Sequence, residues 1–254
     1  MKFTFAGTEY DGREGETLAA ALVRHGVRGG FKSIGRGRPR GVFAWADEEP
    51  NALVQIGHKP MQRAMLVALT DGLVAEPLKG KGRIFEAPDE TRYDARYVHC
   101  ETLVIGGGAA GVAAAQQAEG RVIVLEASPQ CALASDRGQG LRVLTCTTAV
   151  GLYDGNYVVA VERDRRVWHI RAKRIVLATG AVERPIAFPN NDRPGVMLAN
   201  AARRYDLGAA RVAVYTTNDS ALDFPGAVAT IDARSGRRVV DTLGEEHLEG
   251  VLLD

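Results

Sequence analysis

The stretch HCETLVIGGGAAGVAAAQQAEGRVIVLEAS, residues 99–128, decides the fold. Its apolar run at 102–105 predicts a buried strand, and the alanine-rich segment that follows predicts a helix. The second apolar run, at 122–125, predicts another strand. A glycine turn separates the first strand from the helix. This order of strand, turn, helix and strand is typical of a dinucleotide-binding unit in an α/β protein.

Three glycines in the turn have the spacing G-x-G-x-x-G, and each predicts a different contact. Gly106 permits the tight turn, Gly108 lets the backbone approach a pyrophosphate, and Gly111 lets the helix pack closely on the strand. Ala109 and Ala110 open the helix, whose first N–H groups attract an anion. We therefore place these five residues in a dinucleotide site. The alternative is a glycine-rich turn in an unrelated α/β sheet.

An acidic residue closes the second predicted strand at the distance that a ribose requires. Glu126 follows Gly106 at the spacing of about 20 residues that is typical of the ribose-binding carboxylate. A carboxylate there accepts hydrogen bonds from the ribose hydroxyls. Because the same carboxylate disfavours a 2′-phosphate, we expect FAD or NAD and not NADP. ATP and ADP stay open as alternatives. Ala127, which follows Glu126, is included in the predicted site.

A second glycine turn lies further along the chain. Residues 175–180 read IVLATG, an apolar strand that ends in a small turn containing Thr179 and Gly180. Two hairpin-like segments, at 157–162 and 167–171, precede it. This order predicts a three-stranded excursion before the chain returns to the parallel sheet beside the dinucleotide.

Residues 1–76 have a pattern of their own. Residues 2–5 alternate as in a strand, and Thr17 is a good N-cap for a helix. Later strands are expected at 42–46 and 53–56. A hairpin, one helix and further strands predict a small β-grasp unit. We expect a β-grasp domain over 1–76, a linker over 77–97 and a C-terminally abbreviated dinucleotide-binding domain over 98–254.

A run of basic residues without an acidic one lies at 24–40. One interpretation is a solvated loop, because its glycines make the segment flexible. The other is a loop that folds over a phosphate, since arginine binds phosphate oxygens as a bidentate fork. Nucleic acid is a weaker alternative, because Phe31 is the one aromatic residue there that could stack on a base. The basic residues are Arg24, Arg28, Lys32, Arg36, Arg38 and Arg40.

Composition and charge exclude several classes of protein. The 254 residues are 46% apolar with a formal net charge of +1, so no overall field favours nucleic acid or an anionic membrane. No apolar run reaches the roughly 18 residues of a membrane-spanning helix, and we expect a cytoplasmic protein. Cys100, Cys131 and Cys146 form no C-x-x-C pair. We therefore expect no iron–sulfur cluster, no redox disulfide and no metal site.

Catalytic residues are not evident in the sequence. The five histidines are scattered, and no Ser-His-Asp or Cys-His spacing is present. A second strand–turn–strand at 211–232 lacks a glycine fingerprint and is too short for a crossover helix, so we do not expect it to bind a nucleotide. Because the cofactor carries hydride chemistry, we assign binding residues and leave the catalytic residues unknown.

Several longer strings resemble a known family. The chain is similar to the N-terminal part of the α subunit of heterotetrameric sarcosine oxidase and to related dye-linked amino-acid dehydrogenases. The resemblance covers most of the chain, and several of its strings are distinctive of this group. They include GETLAAALVRHGVR at 15–28, EEPNALVQIG at 48–57, TTAVGLYDGNYVVAVERD at 147–164, WHIRAKRIVLATGAVERP at 168–185 and NNDRPGVMLANAARRY at 190–205.

The resemblance implies a β-grasp, ferredoxin-like domain without a cluster, fused to an FAD/NAD-type domain of the disulfide-reductase fold. It also implies a hetero-oligomer in which this chain holds FAD while a β-type subunit oxidises the amine on its own flavin. Carried over by position, Ala149 would meet the adenine through its backbone, and Thr179 and Gly180 would line the far side of the site. From the first domain, Lys32, Arg38 and Arg40 would close it.

Two other functions stay open at this point. One is a stand-alone NAD(P)H-dependent flavin reductase, and the other is a non-catalytic scaffold that binds a nucleotide. The α subunits of the family are longer than this chain, and the segment 127–140 is compressed. We therefore keep three interpretations: a compact stand-alone subunit, a truncated one, and a remnant that binds a dinucleotide only weakly.

Overall fold

The computed structural model describes residues 1–45, 49–78, 90, 92–136, 140–163 and 165–254. The chain divides into two compact units. Unit 1 comprises two separate segments, Met1–Glu86 and Glu183–Asp254, and unit 2 is the continuous segment Ala87–Val182. Both contain strands and helices, as the predicted α/β class requires.

The first segment of unit 1 is built on a five-stranded mixed sheet. Its strands lie in the order β2-β1-β7-β5-β6, with β1 and β7 parallel and the other neighbours antiparallel. A small hairpin, β3 with β4, lies outside this sheet. The elements are β1 (Lys2–Phe5), β2 (Thr8–Asp11), α1 (Leu18–Arg24), β3 (Phe31–Lys32), β4 (Pro39–Arg40), β5 (Leu53–Ile56), β6 (Lys59–Arg63) and β7 (Leu73–Pro77).

Helix α1 supplies one side of the core of unit 1. The Thr17 side chain accepts a hydrogen bond from the Ala20 N–H at 3.3 Å, which caps the first turn as the sequence predicts. Leu18 and Leu22 of the helix are fully buried and share one apolar cluster with Phe3 and Phe5 of β1. One helix packed on a mixed sheet with a central parallel pair is a β-grasp arrangement.

A buried carboxylate replaces the strand that was expected at 42–46. Glu49 is 2% exposed, and its Oε2 accepts the N–H groups of Phe43 and Ala44 at 2.7 and 2.6 Å. Its Oε1 accepts those of Asn51 and Ala52 at 2.6 and 3.0 Å. Residues 42–45 form no strand because two of these N–H groups bond to the carboxylate. The rest of the expected strand, Ala46, lies outside the described residues.

Unit 2 contains one six-stranded sheet in the order β10-β9-β8-β13-β12-β11. The strands β10, β9, β8 and β13 are parallel, and β11, β12 and β13 form the predicted antiparallel excursion. The elements are β8 (Asp94–Ile105), α2 (Ala109–Gln117), β9 (Val122–Leu125), β10 (Leu141–Leu144), β11 (Thr147–Tyr153), β12 (Tyr157–Glu162) and β13 (Arg166–Leu177).

Two strands of unit 2 are longer than the sequence predicts. Strand β13 joins the expected segments 167–171 and 175–177 into one strand of 12 residues. Strand β8 also has 12 residues and begins at Asp94, inside the expected linker 77–97, because its first half pairs with β13. Residues 79–89 and 91 of that linker lie outside the described residues. The boundaries expected from the sequence, 1–76, 77–97 and 98–254, stay a prediction.

The second segment of unit 1 contains small sheets. Strands β14 and β15 form a parallel pair, and β16 and β17 form an antiparallel pair. A 3₁₀ turn at Asp219–Ala221 takes the place of a crossover helix between β14 and β15. Among the described residues no helix is long and apolar enough to cross a membrane. The elements are α3 (Ala199–Ala202), β14 (Val212–Thr216), β15 (Ala227–Asp232), β16 (Val239–Leu243) and β17 (Gly250–Leu253).

Candidate dinucleotide site

The glycine turn lies at the carboxyl edge of the parallel strands of unit 2. Strands β8, β9 and β13 are neighbours that end at Ile105, Leu125 and Leu177 respectively. From β8 the chain proceeds to β9 and β10 on one side and later returns on the other side as β13. Such a reversal of strand order opens a crevice at the carboxyl ends, where α/β sheets bind their ligands.

Two of the three fingerprint glycines are required by close backbone packing. Gly106 has φ of +107°, and a Cβ there would lie 2.2 Å from the Ala178 carbonyl oxygen. A Cβ on Gly111 would lie 1.8 Å from the Gly106 carbonyl oxygen. The tight turn and the close helix–strand contact that the spacing predicts are therefore present.

The remaining fingerprint glycine faces open space. A Cβ on Gly108 would meet no atom within 4 Å, and Gly108, Ala109 and Ala110 are all exposed. The Val112 N–H makes the first bond of α2, to the Gly108 carbonyl at 2.9 Å. The N–H groups before it belong to the unpaired first turn of the helix. The turn thus offers donors and room at the place where a pyrophosphate is expected.

The Glu126 carboxylate is held beside the glycine turn. Its Oε2 accepts the Gly107 N–H at 2.7 Å, and its Oε1 accepts the Ser128 N–H at 2.8 Å. Partial burial acts to raise the pKa of this carboxyl, but the hydrogen bonds from Ser128 and Gly107 outweigh burial and lower it. Glu126 is therefore an ionised acceptor next to the open turn, and Ala127 beside it is exposed.

The second glycine turn reaches the same edge. The Thr179 backbone nitrogen lies 3.2 Å from the position of a Cβ on Gly106, and Thr179 and Gly180 are both exposed. On the other side, the Thr147 N–H of β11 donates to the Glu126 carbonyl at 2.9 Å. Ala149 follows in the same strand, at a β-bulge of β11. The structure brings these segments to one edge of unit 2.

The three cations expected to close the site belong to unit 1. Arg38 and Arg40 both pair with Asp192, at 3.0 and 2.7 Å. Lys32 lies on β3 and lines a cavity of its own unit. Their contribution to the dinucleotide site stays a prediction.

One neighbour of the turn was not predicted. A Cβ on Gly107 would lie 2.7 Å from Cys131 Sγ, and the thiol lies 3.7 Å from the Gly107 carbonyl oxygen. A side chain at position 107 would therefore have to displace the Cys131 thiol or the Glu126 carboxylate, although the position is unspecified in the fingerprint. Nothing in the spacing of the cysteines predicted this contact, because Cys131 lies in the irregular segment between β9 and β10.

His169, in the antiparallel excursion, is bonded to aromatic neighbours and not to a catalytic set. His169 stacks on Tyr97 with ring centroids 4.5 Å apart, and its Nδ1 is hydrogen-bonded to the Tyr157 hydroxyl. These contacts hold it on the surface of the sheet. Among the described residues no group of three His, Cys, Asp or Glu side chains is placed to hold a metal ion.

Comparisons with known proteins agree with the α/β fold. The crystal structure of L-proline dehydrogenase from P. horikoshii superimposes with a TM-score of 0.75. The superposition covers 99% of this chain and 56% of that chain at 23% sequence identity. The predicted fold class, α/β with a β-grasp unit and a Rossmann-like unit, is confirmed.

A family model corrects the prediction about iron and sulfur. The model of the 2Fe-2S iron-sulfur cluster binding domain matches residues 1–80 and points to such a cluster, so the expectation of no iron–sulfur cluster is contradicted. That expectation rested on cysteine spacing, whereas the match rests on the pattern of the whole segment. Cysteine thiolates hold these clusters, and the cysteines of this chain are Cys100, Cys131 and Cys146. Since none lies in the matched segment, its residues do not fit that ligand set.

The sequence relatives are named sarcosine oxidase subunit alpha. The protein from Corynebacterium sp. (strain U-96) is 35% identical over 294 positions, which cover 92% of this chain and 30% of that protein. The protein from Rhizobium meliloti (strain 1021) is 32% identical, with 87% of this chain and 32% of that protein covered. The chain therefore spans about a third of the length of these relatives. It is an alpha-subunit-like protein, similar to sarcosine oxidase subunit alpha over about nine tenths of its own length.

Proposed function

We propose that this chain is the dinucleotide-binding, α-type part of a heteromeric sarcosine or amino-acid oxidoreductase. The amine is oxidised on a flavin in a β-type partner subunit, and this chain is inactive alone. The relatives named sarcosine oxidase subunit alpha and the fold shared with an L-proline dehydrogenase support the proposal. The three free cysteines are typical of a reducing compartment, and we place the assembly in the cytoplasm.

The observation that carries the proposal is the Glu126 carboxylate held beside the open turn at Gly108. The N–H groups of Ala109 and Ala110 bind the pyrophosphate, and Glu126 accepts the ribose hydroxyls. FAD is the proposed ligand. NAD is the alternative dinucleotide, and ATP and ADP are smaller alternative ligands. A bound dinucleotide supplies hydride or electron transfer, and these residues bind and orient it.

The edges of the site complete the assignment. We propose that Ala149 contacts the adenine through its backbone, and that Thr179 and Gly180 line the opposite side. The proposed domains keep the boundaries 1–76, 77–97 and 98–254.

The first experiment is an absorption spectrum of the purified chain, with mass spectrometry of the supernatant after heat denaturation. Released FAD together with a flavin absorption band supports the flavoprotein form of the proposal. A colourless protein that releases NAD, ATP or ADP supports a nucleotide-binding part whose chemistry belongs to a partner. Reduction of added flavin by NAD(P)H with the chain alone would contradict the proposal and favour a stand-alone reductase.

Matched glycine variants test the position of the site. Gly108→Val fills open space and should abolish dinucleotide binding without disturbing the fold, because the new side chain blocks the pyrophosphate. Gly35→Val is the control, since Gly35 also faces open space with an unstrained backbone but lies in unit 1. Glu126→Gln should weaken binding by roughly 10- to 150-fold, the cost of hydrogen bonds to a charged group. Unchanged affinity in Gly108→Val would refute the placement.

A further inference from the structure

Three cations of the basic segment 24–40, namely Arg28, Lys32 and Arg36, have no acidic partner among the described residues. Arg24 pairs with Glu16 at 2.7 Å, and Arg38 and Arg40 share Asp192. Such pairs satisfy the charge of those side chains within the protein.

Arg28 and Lys32 form no ion pair or side-chain hydrogen bond with the part of the chain that the structure describes. Both line a cavity of about 400 Å³ in unit 1, which His247 and Glu246 also line. Arg28 is exposed and Lys32 is half-buried. With two cations and one carboxylate, the lining carries a net positive charge, His247 not counted.

The walls of this cavity are fixed by close backbone approaches. A Cβ on Gly29 would lie 3.0 Å from the Glu246 carbonyl oxygen, and a Cβ on Gly41 would lie 2.6 Å from the Arg28 carbonyl oxygen. The Leu248 N–H donates to the Pro194 carbonyl at 2.7 Å, which anchors the segment that carries His247. The backbone that carries Arg28 is therefore held against the backbone of 246–248 without any ligand.

We infer that this cavity is a binding site for a small oxyanion, namely a phosphate or pyrophosphate group. Arg28 supplies a planar donor fork and Lys32 a point charge, the two side chains that bind phosphate oxygens. The volume lies at the lower end of the range of small-ligand sites, which is about 300 to 1,000 Å³, and so suits a phosphate-sized group with its water. The site lies wholly in unit 1 and does not rest on the proposed dinucleotide function.

The test is a calorimetric titration of inorganic pyrophosphate into the full chain. Because the turn at Gly108 is itself expected to bind pyrophosphate, all variants carry Gly108→Val, which blocks that place. In this background we expect saturable binding, and adding Arg28→Gln with Lys32→Gln should weaken it by at least about tenfold. Arg36→Gln is the matched control, since Arg36 is an exposed cation of the same segment that does not line the cavity. It should change the affinity by less than about twofold.

Three results would overturn the inference. They are no saturable binding in the Gly108→Val background, unchanged affinity after the Arg28 and Lys32 substitutions, and an equal loss from Arg36→Gln. Circular dichroism of each variant confirms that the fold is retained. FAD titrated into the wild type and into Gly108→Val reports on the dinucleotide site separately, so the two proposals fail by different measurements. Orthophosphate and acetate, titrated in parallel, distinguish a phosphate site from a general carboxylate site.

Discussion

Replacing the buried carboxylate of Glu49 should destabilise unit 1 severely. In Glu49→Ala, four backbone N–H groups lose their acceptor at once. Those of Ala44 and Ala52 are fully buried, and each unsatisfied donor costs about 1 to 3 kcal/mol. Those of Phe43 and Asn51 are partly exposed and regain water at little cost. Since the lost carboxylate also no longer needs to be desolvated, we expect a net loss of about 3 to 5 kcal/mol.

Two further variants give the prediction a scale. Glu49→Gln keeps one oxygen and turns an NH₂ group towards two donors, so it should lose roughly half as much as Glu49→Ala. Glu14→Ala removes an exposed carboxylate and should stay within about 0.5 kcal/mol of the wild type.

The assay must report on unit 1 alone, because a chain with two units need not unfold in one step. Trp45 packs against Tyr205 with ring centroids 5.1 Å apart and an interplanar angle of 58°, both in unit 1, and the other tryptophan, Trp168, lies in unit 2. Urea unfolding followed by Trp45 fluorescence in a Trp168→Phe background gives the required free energy. A heat-unfolding midpoint lowered by roughly 6 to 20 °C is the equivalent shift. If Glu49→Ala unfolds within about 1 kcal/mol of its background, the reasoning about the two fully buried donors of Ala44 and Ala52 is wrong.

Three shorter predictions concern unit 2. Gly111→Ala places a Cβ 1.8 Å from a carbonyl oxygen and should cost about 2 to 3 kcal/mol in urea unfolding, whereas Gly108→Ala meets open space and should cost less than about 0.5. The pKa of Glu126 is lowered from its ordinary 4.5. The contribution of ionised Glu126 to the free energy of unfolding is therefore complete above pH 4.5 and is lost as the pH falls through the lowered pKa. Unfolding of Glu126→Gln measured against pH should lack this acid-side loss. Burial raises the pKa of the Cys100 thiol to about 11, so iodoacetamide at neutral pH should label Cys131 and spare Cys100 in peptide mass spectrometry. Bound dinucleotide should slow the Cys131 reaction, and equal labelling of both thiols would contradict the burial argument.

The glycine fingerprint was predictable because a strand–turn–helix unit sets the spacing of its glycines. Gly106 and Gly111 approach backbone that the strand–turn–helix unit itself supplies or that β13 brings alongside it. Glu126 was predictable because the length of one helix and one strand sets its distance from Gly106. The N-cap at Thr17 depends only on the first turn of its helix, so it was predictable as well.

Features that depend on distant pairing were not predictable. Strand β8 extends back to Asp94 because it pairs with β13, a strand that lies far away along the chain, and residues 94–98 alone do not have the apolar pattern of a buried strand. The contact of Cys131 with Gly107 depends on how an irregular segment folds back on the turn. The strand expected at 42–46 is absent because a single buried side chain, Glu49, bonds to backbone that would otherwise pair in a sheet.

The two-segment composition of unit 1 affects the order in which the chain folds during synthesis. Tyr205 and Ala201 belong to the same buried cluster as Phe3 and Leu22. At ribosomal rates of about 5 to 20 residues per second, Tyr205 is made roughly 10 s after the first segment of unit 1 is complete. All of unit 2 is synthesised in that interval, and its sheet closes from continuous chain. The amino-terminal core is therefore incompletely covered until Tyr205 has been synthesised. During this interval its exposed apolar surface is available to a chaperone that binds nascent chains.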